Sequence, residues 1–146
     1  MNKRRGFTLI EINVCIFIMM MIFTAAISLS AMESSIRKDM EHEADIYEIQ
    51  NLCTLGKLIC RSENSSGYLV TNSYENKAYF GCNSKGNVAV KAIQLSPYSY
   101  FPDKTIRMEL SNEGKFKEGR TIFVKSGNEI KSVTIGVGVD TVRIKE

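Results

Sequence analysis

Residues 12–29 form a run of 18 residues without a charged side chain, close to the N-terminus of this 146-residue chain. At a helical rise of 1.5 Å per residue the run is about 27 Å long, which is near the thickness of the apolar part of a bilayer. The remaining sequence is mixed and polar, and it is long enough for one small domain. We therefore expect a membrane-spanning helix that carries a single folded domain.

The net charge of +3 belongs to the segment before this run. Lys3, Arg4 and Arg5 account for the whole excess, because the first six residues contain no acidic residue. Basic residues at one end of an apolar segment favour its retention in the cytoplasm. The rest of the chain is formally neutral. DNA binding is therefore unsupported by net charge, since it needs a basic surface on the folded domain.

Glu11 stands at the start of the apolar run, where a carboxylate is costly in lipid. A cut between Gly6 and Phe7 creates a new α-amine four residues before it. In an assembly, the amine of one subunit can pair with Glu11 of its neighbour and neutralise both charges. A secretory signal peptide gives Glu11 no such role. It needs instead a cleavage site of small residues, and here only a weak one ends at Ala31.

The segment Lys3-Arg-Arg-Gly-Phe-Thr-Leu-Ile-Glu11 resembles the class III signal of type IV prepilins and type II secretion pseudopilins. The resemblance implies that a prepilin peptidase cuts after Gly6, that Phe7 becomes the methylated N-terminus, and that Glu11 is the assembly carboxylate. It also implies other pilins or pseudopilins, an inner-membrane assembly platform and the lipid bilayer as partners. The N-terminus would face the cytoplasm, and the C-terminal domain would lie outside the membrane before entering an extracytoplasmic filament.

Two further features bear on the kind of subunit. Major type IV pilins usually carry a proline in the second half of the apolar segment, whereas this chain has none before Pro97. The departure favours a minor pilin or a pseudopilin. The segments 119–123, 135–138 and 142–144 resemble the ending of H-type minor pseudopilins and of competence pseudopilins. The sequence leaves open whether the machine is a pilus, a secretion system or a competence apparatus.

A helical pattern continues beyond the apolar run and predicts one helix over 7–62, ended by the turn residues 65–67. Apolar residues at three- or four-residue spacing are interpreted as the stripe that packs on the C-terminal domain. They are Met32, Ile36, Met40, Ala44, Tyr47, Leu55, Leu58 and Ile59. Residues 33–50 contain six acidic and two basic side chains. They form either a solvated face or an acidic belt that sets register against neighbouring subunits.

From Gly67 onward the apolar period changes to two, which is typical of strands. Strands are predicted over 68–71, 77–82, 88–95, 105–110, 121–125, 129–135 and 141–145, with turns at 112–114 and 126–128. The predicted fold is α+β and pilin-like, one long N-terminal helix packed against a C-terminal antiparallel β-sheet. The predicted parts are a leader (1–6), a transmembrane stem (7–32), an amphipathic helix (33–62) and a β head (67–146).

Three cysteines are candidates for a disulfide. Cys53 and Cys60 are seven residues apart, so in a continuous helix they share a face about 10 Å apart, too far to bond to each other. Cys82, on a predicted strand, is able to pair with either. No metal and no cofactor are expected, because no C-x-x-C pair occurs and the single histidine, His42, lies in a charged run predicted to be exposed.

No recognised catalytic motif occurs, and the chain is predicted not to be an enzyme. Three hypotheses remain. The chain is a structural subunit of an envelope filament, or its head is a binding module for DNA or a surface carried on such a stem, or it is an unrelated secreted protein with a signal anchor. For the second, Tyr98, Tyr100 and Phe101 beside Lys104 and Arg107 would form an aromatic and basic patch.

Overall fold

The computed structural model describes residues 8–86, 89–137 and 142–145, and within this part of the chain the fold is α+β, as predicted. One long helix, α1, precedes seven antiparallel strands and a short 3-10 helix. The elements are α1 (Leu9–Ser62), β1 (Gly67–Asn72), β2 (Lys77–Cys82), the 3-10 helix (Asn83–Lys85), β3 (Ala89–Gln94), β4 (Ile106–Leu110), β5 (Arg120–Ser126), β6 (Glu129–Ile135) and β7 (Val142–Lys145). Each predicted strand has its counterpart. The predicted helix start at Phe7 and the strand ends at Val88 and Thr141 lie outside the described residues.

Helix α1 ends at Ser62 because the chain leaves the right-handed region at Asn64, whose φ is 46°. The N–H of Ser65 donates to the carbonyl of Cys60 (3.1 Å), and the N–H of Glu63 donates to that of Ile59 (2.9 Å). This bonding satisfies carbonyls that a helix end otherwise leaves without donors. Strand β1 therefore starts directly after the helix and runs back beside it.

The strands form two sheets where the sequence predicts one. The first sheet has the order β3-β2-β1-β4 and the second has the order β5-β6-β7. The chain reverses after β4 at Gly114, where φ is 74° and a Cβ would lie 2.5 Å from the Lys57 carbonyl oxygen. Isolated bridges join a loop residue to each sheet: Phe116 pairs with Leu110 of β4, and Tyr100 pairs with Lys125 of β5. The turn thus leads β5 away from the edge of β4 and into a hairpin with β6.

The chain divides into two compact units, one ending at Asp39 and one beginning at Met40. In the first unit, every described side chain is exposed. The second unit has a continuous apolar core drawn from the end of α1 and from both sheets. Its fully buried side chains include Ile49, Leu52, Leu69, Phe80, Met108, Leu110, Val124 and Val133.

The stripe predicted to pack α1 on the β head is wrong. Seven of its eight members are exposed, and Ile59 is half-buried. The face that is buried in the second unit consists of His42, Asp45, Ile46, Ile49, Leu52, Cys53, Gly56, Lys57 and Cys60. This face includes a histidine, an aspartate, a lysine and a glycine. A prediction from hydropathy places residues of these types on the solvent-exposed side of the helix. The exposed Met40, Tyr47 and Leu58 lie on the opposite side of the helix.

His42 and Asp45 are buried, which corrects the prediction that both belong to a solvated charged face. His42 is 1% exposed and its Nδ1 lies 3.0 Å from the hydroxyl oxygen of Ser99. Asp45 accepts hydrogen bonds from the N–H of Ser96 (3.0 Å) and from its hydroxyl (2.7 Å). The two residues therefore fasten the chain after β3 to α1. Glu43 does stay on the surface, paired with Lys131 at 3.2 Å.

Candidate functional site

The start of α1 is held by reciprocal hydrogen bonds between Thr8 and Glu11. The backbone N–H of Thr8 donates to Glu11 Oε2 (2.8 Å), and the Thr8 hydroxyl donates to the same oxygen (3.0 Å). In return, the backbone N–H of Glu11 donates to the Thr8 hydroxyl oxygen (3.3 Å). Thr8 is thus the N-cap and Glu11 the third helical residue of a capping box.

This capping box gives Glu11 a role within its own chain. The first N–H groups of a helix have no partner inside it, and an unsatisfied N–H is costly in an apolar medium. The Glu11 carboxylate and the Thr8 hydroxyl satisfy two of them, and the negative charge is favourable at the helix N-terminus. A role for Glu11 is predicted from the sequence and one for Thr8 is not, although the Thr-x-x-Glu spacing that marks a capping box is present.

The helix that follows is apolar on all sides. Phe17, Ile18, Ile22 and Phe23 point in different directions around α1, yet each is at least half exposed. The polar Thr24 and Ser28 donate their hydroxyls to backbone carbonyls one turn back, at 2.6 and 3.0 Å. A helix of this kind is stable in lipid, where its side chains are covered and its polar groups are satisfied internally.

Within the described part of the chain, α1 is the one helix long and apolar enough to cross a membrane. Glu11 lies at its start, at the same end as the predicted cut. The other residues of the predicted processing site, Lys3, Arg4, Arg5, Gly6 and Phe7, lie outside the described residues. The described geometry therefore covers Glu11, the predicted assembly carboxylate, and its helix, but not the peptide bond between Gly6 and Phe7.

Comparison with protein families gives one match, to the prokaryotic N-terminal methylation motif, over residues 1–27. No curated protein and no solved structure matches the chain significantly. The match includes the leader, the predicted cut, Glu11 and most of the apolar run. With the apolar helix, it defines a membrane-anchored protein with a signal for N-terminal processing. The matched motif covers 27 of the 146 residues and is the signal of the type IV pilin family, which supports a prepilin-like substrate of prepilin peptidase.

The three candidate cysteines, two on α1 and one on β2, are all buried and carry free thiols. Burial raises the pKa of Cys53 to about 12, against a smaller opposite effect of the Lys57 ammonium. The pKa of Cys60 is raised to about 11, mainly by burial and to a smaller extent by Cys82 and Glu63. Cys82 therefore lies close enough to Cys60 to raise its pKa, whereas the charged group that acts on the pKa of Cys53 is the Lys57 ammonium.

The aromatic and basic patch hypothesised on the head is contradicted in one member, Phe101, while Arg107 is exposed. Phe101 is 5% exposed and belongs to the core. The Arg107 guanidinium carbon lies 4.4 Å from the centroid of the Tyr68 ring, in a cation–π contact within the first sheet. Tyr98 and Tyr100 are both exposed by about 40%.

Proposed function

We propose that this chain is a minor pilin or pseudopilin, a structural subunit of a type IV pilus-type filament. Prepilin peptidase cuts it between Gly6 and Phe7, and Phe7 becomes the methylated N-terminus of the mature subunit. The observation that carries the proposal is the N-terminal methylation motif over residues 1–27, which continues directly into the apolar part of α1. We also propose that the chain is not an enzyme.

The proposed route follows from the charges around the apolar run. The basic leader keeps the N-terminus in the cytoplasm, and the β head lies outside the membrane. The processed subunit is stored in the bilayer, and an inner-membrane assembly platform transfers it into the filament. Other pilins or pseudopilins then replace lipid around the apolar helix.

The proposed filament contact also involves the second unit. One side of α1 packs on the sheets, while Met40, Tyr47 and Leu58 on the opposite side are each more than half exposed. Apolar side chains that recur along one face of a soluble helix mark a surface for a partner. We propose that this outer stripe, defined by Met40, Tyr47, Leu55 and Leu58, packs against the stems of neighbouring subunits.

Glu11 changes partner in the proposed assembly step. In the single chain, its Oε2 accepts hydrogen bonds from Thr8. In the filament, the carboxylate pairs with the Phe7 α-amine of a neighbouring subunit, so that neither charge is left unpaired among apolar helices. The capping box keeps the carboxylate bonded until that amine arrives.

Within this class we propose a minor subunit related to H-type or competence pseudopilins. The absence of proline before Pro97 supports a minor role. The resemblance of segments 119–123, 135–138 and 142–144 supports the relationship. Deletion of the genes for each candidate machine in the host, followed by assay of filament incorporation, identifies the machine.

The decisive experiment is co-expression with a prepilin peptidase, followed by intact mass and N-terminal sequencing. The expected product begins at methylated Phe7. A Gly6→Leu variant, with a bulky side chain at the cut, should keep its leader and serves as the control. A chain cut after Ala31, or one that still begins at Met1 in the presence of active peptidase, would overturn the proposal.

A further inference from the structure

Two buried cysteines meet where α1 ends and the first sheet begins. Cys60 lies in the last turn of α1, and Cys82 is the last residue of β2. Both are completely buried. In the register of the first sheet, Cys82 lies opposite Gly67, the first residue of β1.

Gly67 shows where the Cys60 thiol is. A Cβ built on Gly67 would lie 2.8 Å from Cys60 Sγ, closer than real Cβ atoms come. The backbone of Gly67 does not adopt a positive φ, so no left-handed conformation requires glycine there. What glycine supplies is space. The Cys60 thiol, the Phe80 ring and the Gly81 carbonyl oxygen all lie within 2.9 Å of the position at which a side chain at residue 67 would begin.

The strand pairing brings Cys82 to the same place. The N–H of Asn83 donates to the carbonyl of Ser66 at 2.9 Å, which makes that pair hydrogen-bonded. Pairs alternate along antiparallel strands, so Gly67 and Cys82 form a non-hydrogen-bonded pair, with Cα atoms about 4.5 Å apart and side chains on one face. The Cβ of Cys82 therefore lies about 5 Å from the position of a Cβ at residue 67, and the Cys60 thiol lies 2.8 Å from that same position.

The surroundings of the two thiols agree with this placement. Cys82 Sγ lies 3.6 Å from Glu63 Oε2, and Glu63 also acts on Cys60, whose pKa burial, Cys82 and Glu63 all raise. Both thiols therefore lie beside one carboxylate. Cys53 is two helical turns earlier, about 10 Å along the helix from Cys60, and its charged neighbour is Lys57.

We propose that Cys60 and Cys82 form a disulfide that ties the end of α1 to β2, and that Cys53 remains a thiol. The inference rests on the proposed function in one respect: the head reaches an oxidising compartment, where disulfides persist. The oxidant is a disulfide donor, either a thiol–disulfide oxidoreductase or a small-molecule disulfide.

The disulfide forms in two steps of thiol–disulfide exchange. One cysteine thiolate attacks a sulfur of the donor and forms a mixed disulfide, releasing the first donor thiol. The second cysteine thiolate then attacks the protein sulfur of that mixed disulfide and releases the second donor thiol. The protein gives up two electrons and two protons, and the donor is reduced to two thiols. Because both sites are buried, the exchange occurs while β2 is still closing over the end of α1.

The test uses the full-length chain in detergent, first reduced and then oxidised with glutathione disulfide during refolding. Remaining thiols are alkylated, and the protein is digested and analysed by mass spectrometry. The expected result is an intact mass about 2 Da lower before alkylation and a peptide pair that joins Cys60 to Cys82. Complete alkylation of the three candidate cysteines, or a peptide pair that includes Cys53, would overturn the proposal.

Matched variants sharpen this result. Cys53→Ala should leave the Cys60–Cys82 peptide pair intact, whereas Cys82→Ala should abolish it. Gly67→Ala places a methyl group within 2.9 Å of the Cys60 thiol, the Phe80 ring and the Gly81 carbonyl oxygen, and should reduce the yield of the pair.

Oxidised and reduced wild-type chains are then compared for stability, so no variant needs to fold. The cysteines are 22 positions apart, and closing a loop of this size should lower the unfolding equilibrium constant on the order of 10²-fold. No difference between the two forms would contradict a bond made in native geometry. The same spectra report whether the chain begins at Phe7, so failure of the processing proposal is visible separately.

Discussion

The two units of the chain use apolar residues on α1 in different ways. In the first unit, apolar side chains surround the helix and all are exposed. In the second, the buried face includes His42, Asp45 and Lys57, while Met40, Tyr47 and Leu58 are exposed on the other side. Hydropathy alone therefore predicts well which part of α1 suits lipid. It predicts poorly which face of α1 is buried in the second unit, where tertiary contacts satisfy polar groups. In the proposed function these surfaces have two kinds of covering partner, lipid for the first unit and neighbouring subunits for the outer stripe.

The largest expected effect separates the charge of Glu11 from its capping role. Glutamine also serves at this position of a capping box, so Glu11→Gln keeps the bonds from Thr8 and removes the charge. We expect normal cleavage and membrane insertion, but a loss of filament incorporation on the order of 10²-fold or more, because the neighbour's amine is left unpaired. Quantitative immunoblots of filament and membrane fractions measure the ratio. Incorporation at the wild-type level would show that capping alone explains this glutamate.

The second prediction compares two leucines on opposite sides of α1 in the second unit. Leu52 is 2% exposed and Leu58 is 57% exposed. Leu52→Ala should lower the free energy of unfolding of the head by about 2–5 kcal/mol, because it removes buried contacts and leaves a cavity. Leu58→Ala should change it by no more than about 0.5 kcal/mol, as is usual at a surface position.

Thermal unfolding of the full chain in detergent measures both changes. Leu58→Ala, which barely changes stability, should nevertheless lower filament incorporation, since this residue belongs to the outer stripe. If Leu58→Ala both folds and assembles like the wild type, the outer stripe is not a contact between subunits. Equal destabilisation by the two variants would contradict the assignment of the two faces.

The third prediction concerns two acids that the sequence places on one charged face. Asp45 accepts two hydrogen bonds from Ser96, whereas Glu43 makes a surface ion pair with Lys131. Asp45→Ala leaves the partly buried donors of Ser96 without this acceptor and should lower the free energy of unfolding by about 1–3 kcal/mol. Glu43→Gln should lower it by at most about 1 kcal/mol, because exposed ion pairs contribute little. Urea denaturation measures both, and similar values would show that the Asp45 bonds add no stability.

Much of the fold follows from local patterns. The long helix and all seven strands are predicted by periodicity, and Gly114 and Gly127 do adopt the positive φ typical of turns. The buried face of α1 could not be predicted, because His42 and Asp45 are satisfied by Ser99 and Ser96, more than 50 residues away in the sequence. The division into two sheets likewise depends on how distant strands meet.

The site shows the same division between local and distant information. Glu11 is predictable because a carboxylate beside an apolar run needs a partner, and the Thr8 cap could have been found from its spacing. The sequence could not show whether Cys82 lies near Cys60 or near Cys53. The proximity of Cys60 and Cys82 depends on the register that places Cys82 opposite Gly67 and on the space that glycine leaves for the Cys60 thiol.

The smallest expected effect completes the test of the first unit. Thr8→Ala removes the N-cap but keeps the charge of Glu11, and loss of a cap costs about 1 kcal/mol of helix stability. We expect amide hydrogen exchange at the first helical residues to be faster by about fivefold, with the melting of the head unchanged. Filament incorporation should stay near the wild-type level, because the carboxylate remains available to a neighbouring amine. If Thr8→Ala instead lost incorporation as severely as Glu11→Gln, an ordered helix start and the charge would both be required. The capping box would then be part of the assembled state as well as of the single chain.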